Sequence, residues 1–246
     1  HVQRCLALMD ALAGRGFAGV FVARAGRGMA ASVVESRGHA VLTIPANIPG
    51  EPPTEHDDAR HFLEALKGRT PQFVIVDHYD LGLAWESEVY ETLSAPVVAI
   101  DGRADRRHAS AVVVDPTFMT EPDRWRDLVA PGVHLLQGVQ FTLVAPVFAE
   151  ALRRRPRRDG TIDRILVSFG GSDVCDSTAL AIEALMSPEL DGLSVDVVIG
   201  ATNPHPERIR SMCDASPSLR FHYGTLRMAD LCAEADLAIG AGGISV

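Results

Sequence analysis

The chain opens on a polar group able to move a proton: His1, then Arg4 and Cys5, in the run His1-Val2-Gln3-Arg4-Cys5-Leu6. Val2, Cys5, Leu6, Met9 and Leu12 recur at helical spacing, which predicts a helix over 2–13 that begins at His1 and ends near Gly14. A helix N-terminus disfavours protonation of an imidazole. A histidine there is expected to be neutral near physiological pH and able to accept a proton, with Arg4 one turn onward on a nearby face. A second polar group, Asp77-His78-Tyr79, closes a very apolar run at 73–77. Asp77 and Tyr79 suit the holding of a polar substrate. Asp101-Gly102 closes another apolar run, and Arg107-His108 follows. Asp101 fits two roles, orienting a base or hydroxyl and capping a buried turn. His78 and His108 have no neighbours at metal-ligand spacing, so a solvent-facing loop histidine is the plain alternative for each.

Glycine-bearing turns form the other candidate chemistry. In Ile165-Leu166-Val167-Ser168-Phe169-Gly170-Gly171-Ser172-Asp173 a buried strand feeds two glycines, a serine and an aspartate ahead of a helix. Glycines let backbone approach an anion, and free amides at the next helix start bind phosphate. The competing possibility is a tight turn with Asp173 or Asp176 as a helix cap. Gly240-Ala241-Gly242-Gly243 follows a later strand, with Ser245 beyond it, and leaves the same two possibilities. Asn203, in Gly200-Ala201-Thr202-Asn203-Pro204, is either a turn cap or a contact residue. The spacing around Gly170 and Gly171 is not the dinucleotide fingerprint.

The elements that must carry these groups alternate between short β-branched runs and longer amphipathic ones. Strands are predicted at 17–23, 40–44, 73–77, 96–101, 111–114, 162–168, 195–199, 219–223 and 237–240. Helices are predicted at 28–36, 58–66, 85–93, 142–152, 175–186, 206–215 and 228–235, and 116–140 is irregular. Several strands are continuous apolar runs, which indicates parallel sheets covered on both faces. The polar run at 153–159 (RRRPRRD) interrupts the rhythm and marks a domain boundary. The expected architecture is α/β, two Rossmann-like domains facing a cleft, one over 1–152 and one over 160–246. Both ends fall at loop-to-helix junctions, so the chain is expected to be trimmed at each.

The 246 residues carry a net charge of −9, which disfavours a broad nucleic-acid surface. No apolar run reaches the roughly 20 residues that cross a bilayer. Four cysteines, at 5, 175, 213 and 232, form no CxxC or zinc spacing, as expected of reduced thiols in a cytoplasmic protein. No metal or other cofactor, no nucleic acid and no membrane partner is expected, and the chain is read as a monomer.

Taken in order, these motifs resemble a known family. His1, Arg4 and Cys5 match its G-H-x-x-R-C, Asp77-His78-Tyr79 its D-x-Y, and Trp85-Glu86 its W-E. Ile100-Asp101-Gly102 with Arg107-His108, then Gly138, Phe141 and Leu143, follow in register. Val167–Asp173, then Gly200, Asn203 and Pro204, then Met228 to Gly243 complete the series. The family is the UDP-diacetamido-trideoxy-sugar hydrolases of pseudaminic acid, a nonulosonic acid, near the MurG-type glycosyltransferases of GT-B fold. The resemblance implies that water, activated by His1, attacks the sugar C1 and releases UDP with inversion. It implies Asp77 and Tyr79 as further catalytic residues and Arg4, Asp101, Arg107 and His108 as sugar-side residues. It implies a UDP site at Gly170, Gly171, Ser172, Asp173, Asn203, Gly242, Gly243 and Ser245. Glycosyl transfer to an acceptor, or silent nucleotide-sugar binding, are the alternatives. Gly102 stands where the family has a second aspartate, and Val144 and Ala145 stand where it has an arginine.

Overall fold

A computed structural model describes residues 1–25, 28–47, 53–118, 121, 123–155 and 158–241. The chain divides into two compact units, His1–Leu143 and Val144–Val246.

In the first unit, helix α1 (Val2–Ala13) leads to β1 (Val20–Arg24), α2 (Gly28–Ser36) and β2 (Ala40–Ile44). Strands β1 and β2 pair in parallel, Val20 opposite Ala40. Helix α3 (Glu55–Ala65), β3 (Val74–Val76), α4 (Leu83–Leu93), β4 (Val97–Ile100), β5 (Val112–Asp115) and β6 (His134–Gln137) follow. The last four strands form a parallel sheet in the order β3-β4-β5-β6. Its core joins Val74, Val76, Val97, Ala99 and Val113 with Trp85, Val89 and Trp125. Full burial of one such valine contributes about 1.5–3 kcal/mol. Both tryptophans direct their indole N–H to a buried carboxylate, Trp85 to Asp58 at 3.1 Å and Trp125 to Asp115 at 2.9 Å.

In the second unit, α5 (Pro146–Arg154), β7 (Arg164–Ser168), α6 (Ser177–Leu185), β8 (Ser194–Ile199), α7 (Pro206–Asp214), β9 (Leu219–Tyr223), α8 (Met228–Glu234) and β10 (Leu237–Gly240) make a parallel sheet, order β10-β7-β8-β9. One face carries Ile165, Val167, Val195 and Val197 against α6 and α7, and the other carries Leu166 and Val198 against α8. Covering of both faces is what made these strands continuously apolar in sequence.

Three elements differ from the sequence expectation. The region 116–140 contains β6, which pairs with β5 from Val112 opposite His134 to Asp115 opposite Gln137. Helix α3 begins at Glu55, with Thr54 as its cap accepting from the Asp57 amide at 3.1 Å. Helix α5 belongs to the second unit, where it lies against α8 and Arg154 pairs with Asp230 at 3.1 Å. Arg158, from the basic run, pairs with Asp236 and donates to the Ala233 carbonyl at 2.8 Å. Among the described residues, no helix is long and apolar enough to cross a membrane.

Candidate active site

The start of α1 and the end of β3 meet through Asp77. Its carboxylate is 3% exposed, and it accepts from His1 Nδ1, from Arg4 Nε at 2.5 Å and from Arg4 Nη2. Cys5 Sγ adds a weak contact at 3.5 Å. Burial, with Asp77 close by, pushes the Cys5 thiol up to about 12, so it stays protonated and is no nucleophile. The hydrogen bonds to Asp77 hold the Arg4 guanidinium still more firmly charged. The Arg4 and Asp77 charges therefore offset each other, as a buried carboxylate requires. His1 is different, because its side chain is 37% exposed. Its Nδ1–H is held by a fixed carboxylate, which leaves Nε2 as the proton-accepting nitrogen, the arrangement that orients a general base. Tyr79 is half-exposed beside it, with ring centroids 4.5 Å apart and planes at 74°. The guanidinium of Arg103 lies over the Tyr79 ring, 5.4 Å from its centroid.

The loop after β4 behaves otherwise than expected. His108 is neither a solvent-facing loop residue nor an open sugar contact, being 2% exposed. Its Nδ1 donates to Glu86 Oε1 at 2.6 Å and its Nε2 to Asp101 Oδ2 at 3.0 Å. Burial opposes its charge, but the bonds to Asp101 and Glu86 prevail and raise its pKa to about 9. Burial likewise opposes the Asp101 charge, and His108, the Arg103 amide and Arg106 prevail to lower its pKa. Asp101 takes the buried-turn role, accepting from the Arg103 amide at 2.6 Å. Arg107 is exposed, and its carbonyl accepts from the Leu83 amide at 2.8 Å. Gly102 has a steric reason: a Cβ there would lie 2.5 Å from Thr117 Cγ2.

In the second unit, Gly170 takes a left-handed φ of 82° after β7, and Ser172 is exposed. Asp173 is a cap, because its two carboxylate oxygens accept the Ser177 and Thr178 amides at 2.9 and 2.8 Å. Asn203 is a turn residue, its side-chain oxygen accepting the His205 amide at 2.8 Å. The turns after β7 and β8 touch directly: Thr202 Oγ1 donates to the Gly171 carbonyl at 2.7 Å. Gly242, Gly243 and Ser245 lie outside the described residues. Among the described residues, no group of three histidine, cysteine or acidic side chains could hold a metal ion.

Sequence reasoning missed Arg103 and Arg106, and it quoted Glu86 only as part of the Trp85-Glu86 pair, without its bond to His108. For the two arginines the signal was the density of basic residues in Arg103-Ala104-Asp105-Arg106-Arg107.

No protein-family model matches the chain. Over 128 residues, 50% of its length, the chain is 30% identical to the spore coat polysaccharide biosynthesis protein SpsG of Bacillus subtilis (strain 168). The match spans only 36% of that protein. CalG4, the calicheamicin glycosyltransferase, aligns with a TM-score of 0.63 at 15% identity, over 100% of this chain and 72% of that one. MurG of Acinetobacter baumannii aligns at 0.57 with 16% identity, over 99% and 69%. The fold is GT-B-like. It has two Rossmann-like units, each with a parallel sheet. The expectation of a UDP-sugar hydrolase of pseudaminic acid is corrected by these likenesses. Two solved structures that share the GT-B-like fold are MurG and a glycosyltransferase, and a sequence relative is named for polysaccharide biosynthesis.

Proposed function

We propose that this GT-B-like chain takes part in glycosyl transfer, moving a sugar from a UDP-linked donor to an acceptor hydroxyl, with His1 as general base. The observation that carries this is the exposed imidazole of His1 held through Nδ1 by the buried Asp77 carboxylate, itself neutralised by Arg4. The fold shared with CalG4 supports transfer, and the place of SpsG in spore coat polysaccharide biosynthesis supports a saccharide product. In the step envisaged, His1 Nε2 takes the acceptor O–H proton as that oxygen bonds to the anomeric carbon. The bond from that carbon to the phosphate oxygen breaks, and UDP leaves with the electron pair. Tyr79, beside His1, would line the sugar side with Arg4 and Asp77.

Backbone amides around Gly170, Gly171 and Ser172 would receive the UDP phosphates, since glycine leaves them open to an anion. Asp173 and Asn203 would act by shaping the loops around those amides, and Gly242, Gly243 and Ser245 would add to them.

The test is UDP release from a panel of UDP-sugars with and without saccharide acceptors. Acceptor-dependent release is expected. His1→Gln should lower turnover about 10²–10⁴-fold, the usual weight of a general base, with UDP affinity retained. Release that ignores every acceptor, or UDP affinity that falls in step with turnover, would overturn the proposal.

A further inference from the structure

Arg106 takes no part in the proton transfer above, yet its guanidinium stitches two loops of the first unit together. Nε donates to the Leu81 carbonyl at 2.8 Å and Nη2 to the His78 carbonyl at 2.7 Å. Nη1 pairs with Asp101 at 2.9 Å and with Asp105 at 3.1 Å. The two carbonyls flank Tyr79 on either side, so one planar group grips the loop that carries Asp77 and Tyr79. A planar fork with fixed donors suits this task, and a lysine point charge does not.

The same seam has three further features. The Leu83 amide donates to the Arg107 carbonyl at 2.8 Å. A Cβ at Gly82 would lie 2.9 Å from that carbonyl and 3.3 Å from Arg106 Cδ, so Gly82 leaves room for the crossing. Arg103, anchored by its amide to Asp101, covers the Tyr79 ring. Behind the seam, Asp101 is fixed by His108, and His108 by Glu86, all three of them buried.

We infer that Arg106 is a positioning residue for the transfer site, a clamp that sets the Tyr79 loop against His1 from a buried Glu86–His108–Asp101 base. The inference rests on the transfer reading for its catalytic half only. Its structural half concerns where Tyr79 stands.

Two variants and two readouts test it. Arg106→Gln removes the charge but leaves Asp101 paired with His108. Arg106→Lys keeps a charge for Asp101 but cannot serve both carbonyls. With 3-fluorotyrosine incorporated, the chain's three tyrosines give separate 19F signals, assigned by Tyr90→Phe and Tyr223→Phe. In both variants the Tyr79 signal is expected to move toward that of free fluorotyrosine, with Tyr90 and Tyr223 unmoved. In both, kcat should fall about 100-fold, the scale of an ångström-level misplacement, with KM for the UDP-sugar unchanged. A Tyr79 signal that stays put, a loss carried by KM, full turnover despite a moved signal, or wild-type behaviour of Arg106→Lys would each overturn the clamp. A wild type without acceptor-dependent UDP release would refute the transfer reading alone, and the 19F result would then decide the clamp by itself.

Discussion

Replacing His108 by glutamine tests whether the first unit is built on a buried imidazolium. The folded pKa is raised to about 9, against about 6.5 for an unperturbed histidine. A raised pKa means that the folded state binds the proton more tightly. The stabilisation is therefore complete below the unfolded pKa and is lost as pH rises through the folded one. At about 1.4 kcal/mol per unit, raising the pH from about 6.5 to about 8 removes about 2 kcal/mol. The window stops there because the Cys5 thiol, pushed up to about 12, adds its own loss once the unfolded thiol ionises. Urea unfolding followed by tryptophan fluorescence is the assay, since both tryptophans, Trp85 and Trp125, lie in the core of this unit. His108→Gln itself removes one partner of a buried ion pair, at a cost of about 3–5 kcal/mol. The pH slope is therefore compared rather than the absolute stability. Wild type should lose about 2 kcal/mol over the window, and the variant should be nearly flat. Parallel slopes, or a neutral imidazole by 15N NMR at the alkaline end, would refute the reasoning.

Two glycine substitutions probe the loops. A Cβ at Gly200 would lie 2.5 Å from Gly171 Cα and 2.6 Å from its carbonyl oxygen, and backbone cannot swing aside. Gly200→Ala is therefore expected to cost about 1–3 kcal/mol in thermal unfolding and to weaken UDP binding; retention of both properties would count against the loop contact. Gly102→Ala clashes with the Thr117 methyl, while Asp115 Oδ1 stays at an ordinary 3.6 Å, so a loss of about 1 kcal/mol is expected. Thr117→Ser should restore it, because a serine hydroxyl can keep the bond that Thr117 Oγ1 makes to Asp115 at 2.6 Å; a double mutant no more stable than Gly102→Ala would exclude this steric account.

The alternation of apolar strands and amphipathic helices made the α/β class readable from sequence. Strand β6 was not readable, because His134-Leu135-Leu136-Gln137 has no β-branched residue and follows Pro131-Gly132. The run at 153–159 read only as a domain boundary because the partners of Arg154 and Arg158, Asp230 and Asp236, are more than 70 residues away. His1, Arg4, Asp77 and Tyr79 stood out in sequence because they sit at or near element ends, and the structure brings the four together. His108 misled, since its burial depends on Glu86, a residue inside α4 whose own burial no local pattern betrays. Asp173 and Asn203 had two readings, and only the backbone amides they accept decide for the turn.

The lacing between residues 77–83 and 101–108 has a consequence for protein engineering. A chimera that imports only the first segment from another GT-B-like protein leaves Arg106 facing carbonyls in a new geometry. One that imports only the second removes the guanidinium on which those carbonyls depend. The two segments form a single cassette, and exchange of substrate preference by loop grafting should succeed only when both travel together.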